Sequence, residues 1–105
     1  MWFKEVENED GTVSTTPFPN GDLPREGFQR WQIVTYVGPM RISTVFLGLD
    51  HWGMLYETMV FKGAENHDYE CERYKTRAEA VEGHGSVVER WTDIHNAAVV
   101  SPTVE

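Results

Sequence analysis

The sequence predicts an α+β domain in which a four-stranded antiparallel β-meander packs against one C-terminal helix, after a loop-rich N-terminal arm. Runs of strand-forming residues separated by short turns occupy 31–74. A helix-capping pattern then precedes apolar residues at helical spacing in 77–98. With 105 residues, the chain is expected to form a single domain, 1–105, in which the arm is 1–30.

The arm differs in pattern from the rest of the chain. Acidic residues within 5–10 precede a turn-rich segment at 17–22, and neither shows a sustained period. Trp2, Phe3 and Val6 are compatible with a short edge strand. We expect loops in the remainder of the arm.

Four segments have the composition of β-strands. The first begins at Trp31 and ends before the turn at 38–39. The second, 41–49, is an apolar and β-branched run, so we expect it to be the best-buried strand. After a break at 50–53, a third strand is predicted over 54–61. The most economical arrangement of these strands is a series of hairpins.

The fourth predicted strand, 69–74, alternates between the two faces of the sheet and carries the only cysteine. Cys71 falls on one face, while Glu70 and Glu72 fall on the other. His67 precedes Cys71 at a spacing that could activate a thiol. We instead expect Cys71 to point inward as an inert, small apolar residue.

A helix is predicted to begin at Arg77, because Thr76 and Glu79 form a capping-box pattern that satisfies free amides at a helix start. Spacing of three or four residues then defines a mostly apolar face: Ala80, His84, Val87 or Val88, Trp91, Ile94 and Ala98. Gly83 and Gly85 weaken the helix by about 1 kcal/mol each relative to alanine. Glycine there either allows close approach to the sheet or marks a break.

The net charge of the chain limits the classes of partner that it is expected to bind. Seventeen acidic and nine basic residues give a formal charge of −8, and the basic residues are scattered. We therefore expect no direct nucleic-acid partner, because the phosphate backbone would be repelled. No apolar run is long enough to span a bilayer, and the N-terminus does not resemble a signal peptide. These features, with a single cysteine, predict a cytoplasmic protein without a membrane partner.

Several short motifs resemble those of an uncharacterised family of small proteins encoded by bacteriophages and prophages. They are STVFLGLDH at 43–51, ETMVF at 57–61, ERYKT at 72–76, AEA at 78–80 and GH at 83–84. In that family the loop after the Asp-His pair is longer and rich in glycine and proline, whereas here it is Trp-Gly-Met at 52–54. The resemblance implies a phage origin, a bacterial host cell and a compact accessory protein, and it implies no catalytic residue.

A metal or small-ligand site is one alternative, at Asp50, His51, Glu57 and His84. If a hairpin stacks on the helix, these side chains could converge, and two imidazoles with carboxylates are adequate ligands for zinc. The spacing matches no known metal signature. The competing interpretation is that His51 caps or stabilises the turn, while His84 packs between Gly83 and Gly85 and hydrogen-bonds a backbone carbonyl. We therefore predict no cofactor and favour a protein without enzymatic activity.

Trp52 is the best candidate for a partner contact, because a large aromatic residue in a turn is difficult to bury. An acidic face is expected if the arm packs beside the fourth strand. Its predicted members are Glu5, Glu7, Glu9, Asp10, Glu65, Asp68, Glu70 and Glu72. Such a face could imitate nucleic acid toward a basic protein groove.

The preferred hypothesis is therefore a phage accessory protein that binds a host or phage protein, with Trp52, Glu65, Asp68, Glu70 and Glu72 as contact residues. Inhibition of a bacterial defence system is one role that would suit it. The alternatives are the metal-dependent or small-ligand-binding enzyme and a structural protein that self-assembles. In the last case an unprotected strand edge pairs with a second copy, which would give a homodimer.

Overall fold

The computed structural model describes residues 2–18, 30–64 and 68–100, apart from the side chains of 98–100. Within these ranges lie six strands and one helix. They are β1 (Phe3–Glu7), β2 (Val13–Pro17), β3 (Gln32–Val37), β4 (Met40–His51), β5 (Met54–Lys62), β6 (Asp68–Tyr74) and α1 (Arg77–Val100).

The predicted fold class is confirmed. Strands β3 to β6 form a four-stranded antiparallel sheet whose neighbours follow chain order, and α1 packs against it. Strand β4 extends past its predicted end at Leu49, because Asp50 and His51 still belong to it. The break between β4 and β5 is therefore only the two residues Trp52 and Gly53.

Alternation along the strands gives the sheet two different faces. On β4, every second residue from Met40 to Gly48 is buried toward α1, as expected for the best-buried strand. We call the opposite side of the sheet the open face. Its larger apolar side chains are Val34, Tyr36, Val45, Leu47, Met59 and Phe61.

The core between the sheet and α1 consists of two clusters. One contains Val37, Met40, Ile42, Val60 and Val87, and the other contains Phe46, Leu55, Tyr56 and Ala80. Full burial of a side chain such as Ile42 contributes roughly 1.5–3 kcal/mol. On the helix, Val87 is buried, Val88 is only partly buried and Ile94 is half exposed. The apolar stripe of α1 is thus narrower than the sequence predicted.

Part of the predicted loop-rich arm is a β-hairpin. Strands β1 and β2 pair antiparallel across a turn closed by Asn8 and Gly11. Trp2 forms a bridge with Leu49 at the end of β4, and Phe3 packs against the second core cluster. The sequence signal was weak because three of the five residues of β1, namely Lys4, Glu5 and Glu7, are charged and break the apolar alternation of a strand. Of the predicted turn-rich segment 17–22, Pro17 is the last residue of β2, whereas 19–22 lie outside the described residues.

The start of α1 confirms the capping box. The amide of Glu79 donates to the Thr76 hydroxyl at 3.1 Å, and the amide of Thr76 donates to the Glu79 carboxylate at 3.2 Å. Gly83 does not break the helix: the ring of Tyr74 occupies the space that a Cβ there would need, so glycine allows the close approach. Among the residues described, no helix is long and apolar enough to cross a bilayer.

Candidate functional site

The tip of the β4–β5 hairpin has an unusual sequence for its conformation. Trp52 has φ 56° and Gly53 has φ 83°, as in a type I′ turn, which favours Asn-Gly or Gly-Gly. The Asp50 carboxylate accepts a hydrogen bond from the amide of Gly53 and helps to close the turn. The left-handed conformation costs a residue such as tryptophan roughly 1–2 kcal/mol. Trp52 is therefore a strained residue in a well-defined turn.

The Trp52 side chain gains nothing from the fold to offset this strain, because it is 95% exposed. It does not fold back over the sheet edge. Strained backbone that persists without a packing reason is most often found where a residue contacts a partner. Tryptophan is also among the residues that most often dominate binding energy at protein interfaces.

Next to this tip, a shallow depression lies between the start of β5, the end of β6 and the start of α1. Met54, Tyr74 and Glu79 line it, together with Arg73 and Lys75. Glu79 is also the residue whose carboxylate caps the start of α1, as described above. The surface around the turn is thus continuous with the first turn of the helix.

Glu79 also borders a second depression of about 400 Å³ between β6 and α1, which we call the acidic groove. Glu72 and Glu82 line it as well, and Arg90 is the one cation among its described lining residues. Arg90 is already paired, since its guanidinium contacts the Glu70 and Glu72 carboxylates. The groove therefore presents negative charge to solvent.

The acidic residues of β6 that were predicted to contact a partner lie in different environments. Glu72 lies in the acidic groove, but Glu70 accepts hydrogen bonds from Arg90 and from the indole of Trp91, which fixes it between β6 and α1. Asp68 pairs across the strands with Phe61, which places it on the open face. Glu65 lies outside the described residues.

The acidic residues of the arm do not join those of β6. The β1–β2 hairpin meets the sheet through β4, two strands away from β6. Glu5 is committed inside the fold: it accepts hydrogen bonds from Tyr56 at 2.6 Å and from Arg77 at 2.9 and 3.0 Å. Burial raises the pKa of Tyr56, and the Glu5 carboxylate makes the second-largest contribution in the same direction. The predicted acidic face is therefore replaced by the acidic groove.

The four residues of the alternative metal site are not brought together. Glu57 lies on the open face and pairs with Arg73 at 2.8 Å, whereas His84 is buried on the opposite side of the sheet. Asp50 caps the turn, and His51 lies at the end of β4. In the described parts of the chain, no three His, Cys, Asp or Glu side chains are placed to share a metal ion.

His84 belongs to a hydroxyl network in the core. Its Nδ1 is 2.6 Å from the hydroxyl of Thr44, and its Nε2 is 2.8 Å from that of Thr35. Thr44 is in turn 2.5 Å from the hydroxyl of Thr58. Because desolvation lowers the pKa of His84, the neutral ring is favoured in the fold. His84 is therefore a packed core residue, but its hydrogen-bond partners are threonine hydroxyls and not the predicted backbone carbonyl.

Cys71 does not point inward as predicted. It is exposed on the open face, 3.5 Å from a Glu57 carboxylate oxygen. Partial burial and the charge of Glu57 raise the pKa of the thiol. A thiol that stays protonated at neutral pH is a poor nucleophile, so the geometry gives no support to catalysis by Cys71.

Comparison of the chain with protein-family models, with curated proteins and with solved structures finds no match. The interpretation of the site therefore depends on its geometry.

Sequence reasoning located Trp52 and Glu72 but missed Glu79 and Glu82 as surface acids. Their spacing of three residues on a predicted helix was the available signal.

Proposed function

We propose that this protein acts by binding another protein and that Trp52 is the anchor of the complex. The supporting observation is that Trp52 is 95% exposed in a left-handed turn, where it costs stability and contributes no packing. A partner that accepts the indole in a pocket recovers the apolar area that the free protein leaves in water. That recovery is the largest gain available to a single side chain on this surface.

The acidic groove supports a basic partner, although Arg73 and Lys75 line the depression that is nearer the turn. The acidic groove begins at Glu79, which borders the same depression as Met54 next to the turn. Lysine or arginine residues flanking the pocket for Trp52 would lie opposite Glu72 and Glu82. Long-range attraction from a chain of charge −8 would accelerate such an encounter.

The resemblance of 43–84 to small phage proteins supports a narrower form of this proposal. In this form the chain is an accessory protein in the cytoplasm of a bacterial host, and its partner is a host or phage protein. Inhibition of a bacterial defence system is the role it would then serve, with the acidic groove occupying a basic surface that normally holds nucleic acid.

A capture experiment with matched variants tests the proposal. The tagged wild type, Trp52→Asn and Ile94→Asn are incubated with bacterial lysate and washed at low and at high salt. Ile94 is a half-exposed apolar residue on α1 and serves as the control. We expect the wild type and the Ile94 variant to retain a common basic protein at low salt, and Trp52→Asn to lose it.

The dependence on salt separates the two contributions. Retention that weakens steeply as salt rises supports the acidic groove as a contact, because screening shortens the range of the attraction. If Trp52→Asn retains the same protein as the wild type, Trp52 is not the anchor and the proposal is wrong.

A further inference from the structure

About half of the open-face side chains are apolar, although this side of the sheet is turned away from α1. The register aligns its side chains in rows across the strands, one of which contains Val34, Ser43, Met59 and Cys71. Neither core cluster of the described chain includes an open-face side chain. Tyr36, on the edge strand β3, is 70% exposed, and the other apolar side chains of this face are partly exposed. Apolar area that a fold leaves in contact with solvent marks a contact surface.

The charges on this face neutralise one another. Arg41 stacks its guanidinium over the ring of Phe61 at 4.5 Å, and Arg73 pairs with Glu57 at 2.8 Å. Asp68 pairs with Phe61 across the strands. The open face therefore carries two basic residues, Arg41 and Arg73, and two acidic residues, Glu57 and Asp68. The chain as a whole carries −8, so two copies repel each other over most of their surface. The balanced charges of the open face add no net repulsion to a contact between two copies.

The dimensions of the face suit a small, concentration-dependent interface. Four strands at a spacing of about 4.8 Å, each about seven residues long, cover roughly 19 by 24 Å, or about 460 Å² before the relief of the side chains is added. This flat area is a little over half of the roughly 800 Å² per partner that specific complexes bury. A face with equal numbers of basic and acidic residues can also be complementary to itself, as a two-fold contact requires.

We propose that the open face is covered by a second copy of this chain, related by a two-fold axis, so that two sheets pack face to face with Val45 and Met59 near the centre. Sheets packed in this way lie about 10 Å apart, with their strands inclined by about 30°. The Trp52 turns lie at the strand ends, beyond the face. The dimer therefore presents two Trp52 anchors and binds with higher avidity wherever a partner offers two sites.

Molecular mass measured by sedimentation equilibrium tests the proposal on the full chain. We expect the wild type to move toward twice its 12.1 kDa chain mass as its concentration rises through the micromolar range. Val45→Lys and Tyr36→Lys place charges on the open face and should leave the mass at that of one chain. Val81→Lys makes the same change as Val45→Lys at a 48% exposed position on α1 and should dimerise like the wild type.

Cys71 provides a second measurement on the unaltered protein. It lies in the same row as Met59, so a dimer through this face shields it. We expect its rate of labelling by a thiol reagent to fall several-fold over the concentration range in which the mass doubles. Because Tyr36 is mostly exposed, Tyr36→Lys removes little packing and should remain folded.

Three results would overturn the proposal. The first is a single-chain mass at every concentration. The second is a dimer that both open-face variants retain, which would place the interface elsewhere, for example at a strand edge. The third is a dimer in which labelling of Cys71 is independent of concentration.

Discussion

At the residue scale, His84 and Trp52 were both singled out by their residue type, but the structure buries one and exposes the other. Both were candidates for function, since each is a residue type common in binding sites. His84 is 5% exposed and has hydroxyl partners on both ring nitrogens. Trp52 is almost fully exposed. Burial depends on where the other strands and the helix lie, which neither residue encodes.

His84 makes stability depend on pH. Its pKa in the fold is lowered from 6.5 by burial, so the unfolded chain takes up the proton first. Its contribution is complete above about pH 6.5 and is lost as pH falls from there through the pKa of the folded state. Each unit by which the pKa is lowered corresponds to about 1.4 kcal/mol. Urea unfolding at several pH values measures this loss.

The control is His84→Gln, which keeps hydrogen-bonding groups but does not titrate. Its free energy of unfolding should fall less than that of the wild type between pH 6.5 and pH 5. Equal slopes for the two proteins would show that His84 does not carry the dependence.

Trp52→Asn should make the protein more stable, although it removes an aromatic residue. Asparagine tolerates the left-handed conformation that Trp52 adopts, and no packing is lost with a side chain so exposed. We expect a gain of about 1 kcal/mol in the free energy of unfolding. Trp52→Ala keeps the strain and should show no such gain in chemical denaturation. A destabilised Trp52→Asn would mean that the indole contributes to the fold.

At the element scale, the β1–β2 hairpin is held to the domain by the polar contacts of Glu5, by the bridge of Trp2 and by the apolar packing of Phe3. Glu5 joins the hairpin to Arg77 at the helix start and to the buried Tyr56 on β5. These residues are far apart in sequence, so no local pattern reports the contact. A carboxylate that accepts from both partners at once is a strong connection.

Glu5→Gln should loosen the hairpin while leaving the four-stranded sheet intact. The amide cannot satisfy both nitrogen donors of Arg77 and the Tyr56 hydroxyl, and leaving such groups unpaired costs roughly 1–3 kcal/mol. Hydrogen exchange should accelerate in β1 and β2 but not in β4. Glu7→Gln, farther along β1 at an exposed position, is the matched control. Uniform acceleration in all strands would contradict a local role.

At the scale of the whole molecule, the excess of acidic residues is tolerated because arginine side chains pair with several of the glutamates. Arg73, Arg77 and Arg90 each contact at least one glutamate. Glu79 and Glu82, three residues apart on α1, line the acidic groove together with Glu72, which also contacts Arg90, so carboxylates of like charge lie close together there. Repulsion of this kind lowers the stability of the compact state.

Glu82→Lys should therefore stabilise the isolated protein at low salt, by about 0.5 kcal/mol. The gain should shrink in high salt, where the repulsion is screened. Thermal unfolding at the two salt concentrations measures both effects, and Glu82→Gln should give a smaller gain. The same variant should weaken capture of a basic partner. A salt-independent gain would point to helix propensity instead of charge.

The sequence by itself determined the fold class, the order of the four sheet strands and the start of the helix at Thr76 and Glu79. These follow from local signals: strand alternation, short turns between neighbouring strands and a cap within four residues. It also placed Trp52 in a turn. Such features depend on interactions between residues close together in the chain.

Only the tertiary structure decided which face of each strand meets the helix. That choice buried His84, exposed Cys71, separated Glu57 from His84 and turned Glu5 inward. Each outcome depends on contacts between elements distant in sequence, whose register and packing are selected by the burial of the whole core. The same choice left the open face uncovered by the described core, and it brought Glu72 of β6 next to Glu79 and Glu82 of α1.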